Sequence, residues 1–130
     1  MKLNRRAVLA GVALSVLAIS GAQAASKVPF DAAAFKAARD SGKPVVLEVA
    51  APWCGPCQRM KRTVSELVER PDFKDVTIFE ADYDANKEEL QKINAYQLTT
   101  LILYRDNSEL QRMVGETRAE VIEPLLRKAM

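Results

Sequence analysis

An α/β domain with a mixed central sheet of about four strands, flanked by helices on both faces, is the fold class the sequence predicts. Three observations carry this expectation. Val45-Val46-Leu47-Glu48-Val49 is an almost unbroken apolar run, the pattern of a strand buried on both faces. Met60, Val64 and Leu67 then recur at helical spacing, so the strand gives way to a helix. Further on, two apolar runs at residues 100–104 and 110–114 flank Asp106-Asn107-Ser108, a hairpin signal. Strand, helix and strand followed by a hairpin need both parallel and antiparallel pairing in one sheet.

The remaining elements follow in order. Asp31 is the expected N-cap of a first helix with Phe35 and Ala38 inward, and Ser41-Gly42-Lys43-Pro44 stops it. The helix carrying Met60 ends at Arg70-Pro71, because the residue before a proline disfavours helical backbone. Residues 76–82 read as a second strand, and 86–94 as a short helix with Leu90 and Ile93 inward. Thr117 and Glu120 have the spacing of a capping box for a last helix with Val121, Leu125 and Leu126 on its inner side. Pro124 lies inside that helix and is expected to kink or fray it.

Residues 1–24 read as a signal peptide rather than part of the fold. Lys2, Arg5 and Arg6 make a basic start, residues 7–19 are apolar or small, and Ala22-Gln23-Ala24 fits a cleavage site. The apolar run has 13 residues, too few to span a bilayer comfortably, so membrane association is expected only through the export signal. Asn4-Arg5-Arg6 also partly matches a twin-arginine signal, which an ordinary basic start explains equally well. Residues 25–130 are then one small domain, in a periplasmic or otherwise extracytoplasmic location. The leader holds three of the 19 basic residues and none of the 17 acidic ones, so the domain's net charge is about −1. That balance gives no support to a nucleic-acid partner.

Trp53-Cys54-Gly55-Pro56-Cys57 is the chemical centre of the chain. Its cysteines are the only two present, and there is no histidine. A Cys-x-x-Cys pair opening a helix can cycle between dithiol and disulfide, because unpaired backbone N–H groups there stabilise a thiolate. A structural staple is the bland alternative, but a bridge across two residues closes too short a loop to constrain the unfolded chain much.

In this order of elements, Trp53-Cys54-Gly55-Pro56-Cys57 resembles the active-site pentapeptide of the thioredoxin family. Asp82-Tyr83-Asp84 and the terminal hairpin leading to Gly115 resemble further parts of it, over most of residues 29–128. The resemblance implies the thioredoxin fold, Cys54 as exposed nucleophile and Cys57 as more buried resolving thiol, joined as a disulfide in the oxidised state. Gly55 and Pro56 tune that turn, and in the family Gly-Pro goes with reducing enzymes, whereas oxidases commonly carry a histidine between the cysteines. Trp53 is expected to shield the site and contact substrate.

Glu48, alone in an apolar strand, is the candidate proton acceptor for Cys57, where the family has an aspartate. Desolvation should raise its pKa into a range useful near neutrality. An acid that merely reaches the sheet edge is the alternative. Glu80 stands where the family often has a lysine, so Glu48 and Glu80 could share a proton. The sharpest departure is Leu98-Thr99-Thr100, because the family has a cis proline at the position of Thr99. A cis bond before a non-proline residue costs about 2.5 to 4 kcal/mol, so the Leu98–Thr99 bond is expected to be trans and the substrate-binding loop reshaped. Loss of the proline ring is also expected to uncover the sulfurs, which opens a rival reading: a metal or iron–sulfur centre shared between two chains. One chain lacks the ligands for a tetrahedral zinc site, so no metal and no organic cofactor are expected. Arg59, Lys61 and Arg62 fit either a field near Cys54 or a solvated helix face.

The reading is an exported thiol–disulfide oxidoreductase that reduces protein disulfides and is recharged by a membrane dithiol electron donor. A Dsb-type oxidase or isomerase is the other enzymatic possibility.

Overall fold

A computed structural model describes residues 24–130. Its five strands are β1 (Ser26–Pro29), β2 (Val45–Ala50), β3 (Thr77–Asp82), β4 (Thr100–Arg105) and β5 (Ser108–Val114). The helices are α1 (Ala32–Asp40), α2 (Gly55–Val68), α3 (Lys87–Lys92) and α4 (Ala119–Arg127). In the sheet order β1-β3-β2-β4-β5, β3 pairs parallel with β1 and β2, while β4 runs antiparallel to β2 and β5. This is a mixed sheet, with one strand more than the sequence suggested. The additional strand is β1, four residues of mixed character whose extended state comes from pairing Ser26 to Pro29 along β3. No local pattern marks it.

The expected leader falls, but for Ala24, outside the described residues. Among the described residues no helix is long and apolar enough to cross a membrane.

All six residues of β2 are buried. Strand alternation divides them between two cores. Val45, Leu47 and Val49 join Phe35 of α1, Phe79, Leu90 of α3 and Tyr104 on one face. There Phe35 meets Phe79 and Tyr104 edge to face, with ring centroids 5.4 and 5.3 Å apart. Val46 joins Met60, Val64 and Leu67 of α2 with Ile122, Leu125 and Leu126 of α4 on the other. Each fully buried large side chain contributes about 1.5–3 kcal/mol, so the two faces clamp β2 in place. Glu48 shares the parity of Val46, and its carboxyl therefore lies on the α2 face.

The ends of the elements show which local signals won. Asp31 caps α1 by accepting the Ala34 N–H at 2.8 Å. Asp106 and Asn107, with φ of 49° and 61°, form the two-residue hairpin turn, and β5 begins at Ser108. The capping box at Thr117 and Glu120 does not form. The N-cap of α4 is Arg118, one residue later, and Glu116 takes the free N–H groups of Thr117 and Arg118, both at 2.9 Å, while also gripping the Arg118 guanidinium. Ile122 rather than Val121 is the fully buried residue of the first turn of α4. Pro124 leaves α4 continuous, because it and Glu120, whose carbonyl loses a donor, both sit on the exposed side.

Candidate active site

Beyond β2 the chain turns through Ala51-Pro52-Trp53, closed by the Cys54 N–H donating to the Ala51 carbonyl at 3.1 Å. Cys54 is the N-cap of α2: its backbone is extended, with φ −91° and ψ 108°, and its Sγ accepts the Cys57 N–H at 3.3 Å. Pro56 sits in the first turn, where a missing N–H costs nothing and a fixed φ suits the helix. Cys54 and Cys57 are joined as a disulfide across a Cα separation of 5.2 Å. Cys54 retains 7% of its surface and Cys57 none, so any attacking partner meets Cys54 first. The adjacent rim is open at Gly55 and Pro56 and carries Trp53, which is 64% exposed.

Trp53 does not hang free. Its indole N–H donates to Asp84 at 2.7 Å, its ring meets Tyr83 edge-on at 6.4 Å, and Tyr83 stacks on Tyr96 at 4.1 Å. This aromatic ledge escaped sequence reasoning. Tyr83 carried a signal only as part of the acidic strand end, and Tyr96 had no periodic neighbour to mark it.

Leu98 and Thr99 do face the cysteines, but the loop is closed over them. The Leu98–Thr99 bond is trans, as expected. Against expectation, losing the proline ring has not uncovered the sulfurs. Thr99 is only 5% exposed, and its Oγ1 lies 3.2 Å from Cys57 Sγ and 3.6 Å from Cys54 Sγ. Exposed sulfurs were the premise for a metal shared between chains, and that premise fails. Among the described residues no cluster of three or more histidine, cysteine, aspartate or glutamate side chains is gathered.

Glu48 is 1% exposed, and neither carboxyl oxygen has a hydrogen-bonding partner. It lines a cleft of about 210 Å³ together with Gln58, Lys61, Glu80 and Asp82, so a buried acid has a path to water. Burial pushes its pKa up to about 6; Lys27 and Lys61 pull it back in part, and Glu80 adds to the rise. Glu80 is the register partner of Glu48 across β2 and β3. Burial alone would raise Glu80 too, but Lys27 and Lys61, each 3.3 Å from its Oε1, outweigh it and hold its carboxyl below the usual range. The two acids therefore do not share one proton evenly: Glu80 stays ionised between lysines, and the exchangeable proton belongs to Glu48. Lys61 thus has a specific partner, while Arg59 and Arg62 are exposed. Lys27 escaped sequence reasoning because β1 did.

A helix-capping cysteine, a buried partner one turn later and a desolvated acid on the α2 face of β2 define a dithiol–disulfide exchange protein. The family model described as Thioredoxin matches residues 26–128, and the chain belongs to the thioredoxin family. It is 31% identical over 91 residues to an H-type thioredoxin of Fagopyrum esculentum, covering 70% of this chain and 77% of that one. With a thioredoxin of Mycobacterium tuberculosis it shares 36% over 75 residues, 58% of this chain and 64% of that protein. Among solved structures it resembles Trxlp from Edwardsiella tarda EIB202, with a TM-score of 0.74 and 38% identity over 78% of this chain and 98% of that one. The thioredoxin of Malassezia sympodialis shares the fold, with a TM-score of 0.72 at 18% identity over 82% of this chain and 92% of that one. The protein is a thiol–disulfide oxidoreductase with Cys54 and Cys57 as its redox pair.

Proposed function

We propose that this oxidoreductase works outside the cytoplasm as a reductant of protein disulfides, and that a membrane dithiol donor restores its own dithiol. The observation that carries the reductive reading is the start of α2: Cys54 Sγ receives a backbone N–H, and the turn between the sulfurs is Gly-Pro, which places no cationic residue between the two cysteines. The leader at residues 1–24 supports export, and an oxidising compartment then demands an outside electron source.

The cycle runs in two displacements. Cys54 thiolate attacks one sulfur of the substrate disulfide; a Cys54–substrate bond forms and the other substrate sulfur leaves as a thiolate, which takes a proton. Cys57 then gives its proton to Glu48, and its thiolate attacks Cys54. The Cys54–Cys57 bond forms, the mixed bond breaks, and the second substrate thiolate departs. Two electrons have passed from the dithiol to the substrate. Glu48 is ionised above pH of about 6, so at neutrality it can accept that proton, and the cleft returns it to water.

Two measurements test this. The reduction potential should lie nearer the about −270 mV of thioredoxins than the about −120 mV of a strong oxidant. A value near the latter would reassign the protein as a Dsb-type oxidase. In cells, Cys57→Ser should accumulate mixed disulfides with exported proteins; no adduct in the extracytoplasmic fraction would overturn the compartment and the client class.

A further inference from the structure

Four non-glycine residues have positive φ among the described residues: Asn94, Asp106, Asn107 and Thr99. Three are the Asn or Asp types that tolerate this region. Thr99, at φ 50°, is β-branched, and for such a residue the conformation is strained. The surroundings impose it. The Thr99 carbonyl accepts the Gly115 N–H at 2.8 Å, and the Thr100 hydroxyl donates to the Leu98 carbonyl at 3.1 Å, clipping both sides of the residue. The side chain is thereby aimed inward, with its oxygen within 3.6 Å of both sulfurs.

We propose that the Thr99 hydroxyl is a catalytic hydrogen-bond donor shared by Cys54 and Cys57, turning to whichever sulfur carries the negative charge. This rests on the dithiol cycle alone and holds for either direction of electron flow or any compartment. In the disulfide neither sulfur has a proton, so of the three groups only the hydroxyl donates. Ala50, Ala51, Tyr83 and Leu98 pack around the pair as apolar neighbours. Cys54 also has the Cys57 N–H as a donor. Cys57, fully buried, has the Thr99 hydroxyl as its side-chain partner. A bare thiolate in such a site is strongly disfavoured, and a charge-assisted hydrogen bond is worth about twice a neutral one. The donor therefore favours thiolate over disulfide sulfur. In the dithiol it supports Cys54 thiolate. In the mixed disulfide, where Cys54 is neutral, it supports Cys57 thiolate as that sulfur attacks Cys54 and expels the substrate thiolate.

Thr99→Val tests the claim in the full chain, because valine keeps the shape and branching and removes only the donor. Equilibration with glutathione should show the dithiol disfavoured about tenfold, a potential about 30 mV more negative. Acid-quenched reactions with a disulfide substrate should show the mixed disulfide decaying about tenfold more slowly. Thr99→Ser should restore both. The proposal is overturned if Thr99→Val matches wild type in both readouts, or if Thr99→Ser behaves as Thr99→Val, which would make shape rather than the hydroxyl decisive. Should valine prevent folding, Thr99→Ser against Thr99→Ala isolates the same oxygen, and equal potentials and decay rates in that pair equally overturn it.

Discussion

The two segments that meet at the sulfurs are built in opposite ways. At the start of α2 every defining contact is local: Cys54 accepts the N–H of a residue three positions on, and Pro56 settles the first turn. The segment at Leu98 and Thr99 has no helix or turn of its own to shape it. Its contacts to the sulfurs span 45 and 42 positions, and its strained backbone is held by Gly115 from beyond β5. The reactive geometry thus belongs to one short stretch of chain, whereas the environment that governs its reactivity is assembled by the whole sheet. Disturbing the first should abolish chemistry with the fold intact; disturbing the second should shift potential and stability together.

The largest expected effect breaks the local side. Cys54→Ser should reduce thiol release from a protein disulfide to the uncatalysed background. Serine is itself a favoured N-cap, so the urea midpoint should match that of reduced wild type.

Glu48→Gln probes what lies beneath α2. Its folded pKa of about 6 lies above the ordinary glutamate value of 4.5, so the native state binds the proton more tightly than the unfolded chain. The stability Glu48 contributes is therefore fully present below about pH 4.5 and is lost, by about 2 kcal/mol, as pH rises through 6. Urea titrations at pH 4.5 and 8 should show wild type losing about 2 kcal/mol relative to Glu48→Gln between the two pH values. Reductase turnover in the variant should be slower, without the acid limb near pH 6.

Gly115→Ala disturbs the distant side. Gly115 has φ +78° with nothing within 4 Å of an added Cβ, so the cost is backbone strain alone, about 1–2 kcal/mol by chemical denaturation. Because its N–H clips Thr99, the reduction potential should move in the same direction as in Thr99→Val. An unchanged potential would separate the clip from the sulfurs.

The smallest stability effect is expected at Trp53. With 64% of its surface exposed, Trp53→Ala should stay within about 0.5 kcal/mol of wild type. It should nonetheless raise KM for a protein disulfide while leaving turnover of a small disulfide unchanged, if the ledge with Tyr83 and Tyr96 receives the substrate chain.

Legibility followed the range of the interactions. The apolar run of β2, the spacing of Met60, Val64 and Leu67, the Asp31 cap and the 106–107 turn are readable because each depends on neighbours within a few residues. β1 was invisible, since four residues become a strand only against β3. The box at Thr117 and Glu120 misled because spacing does not reveal that Glu116 takes the Thr117 N–H the box would need. The idea of a proton shared between Glu48 and Glu80 had the right neighbours but lacked Lys27 and Lys61, which arrive from β1 and α2.

The residues alone were enough for the α/β class, the redox pair and its helix-capping chemistry, because hydrophobic period and a five-residue motif are local properties of the chain. The fold was needed for the rest. Whether Thr99 opens or closes the site, and which of two paired glutamates keeps its proton, depend on atoms brought together from distant positions. Burial and long-range contact set those energies, and neither is written in any one segment.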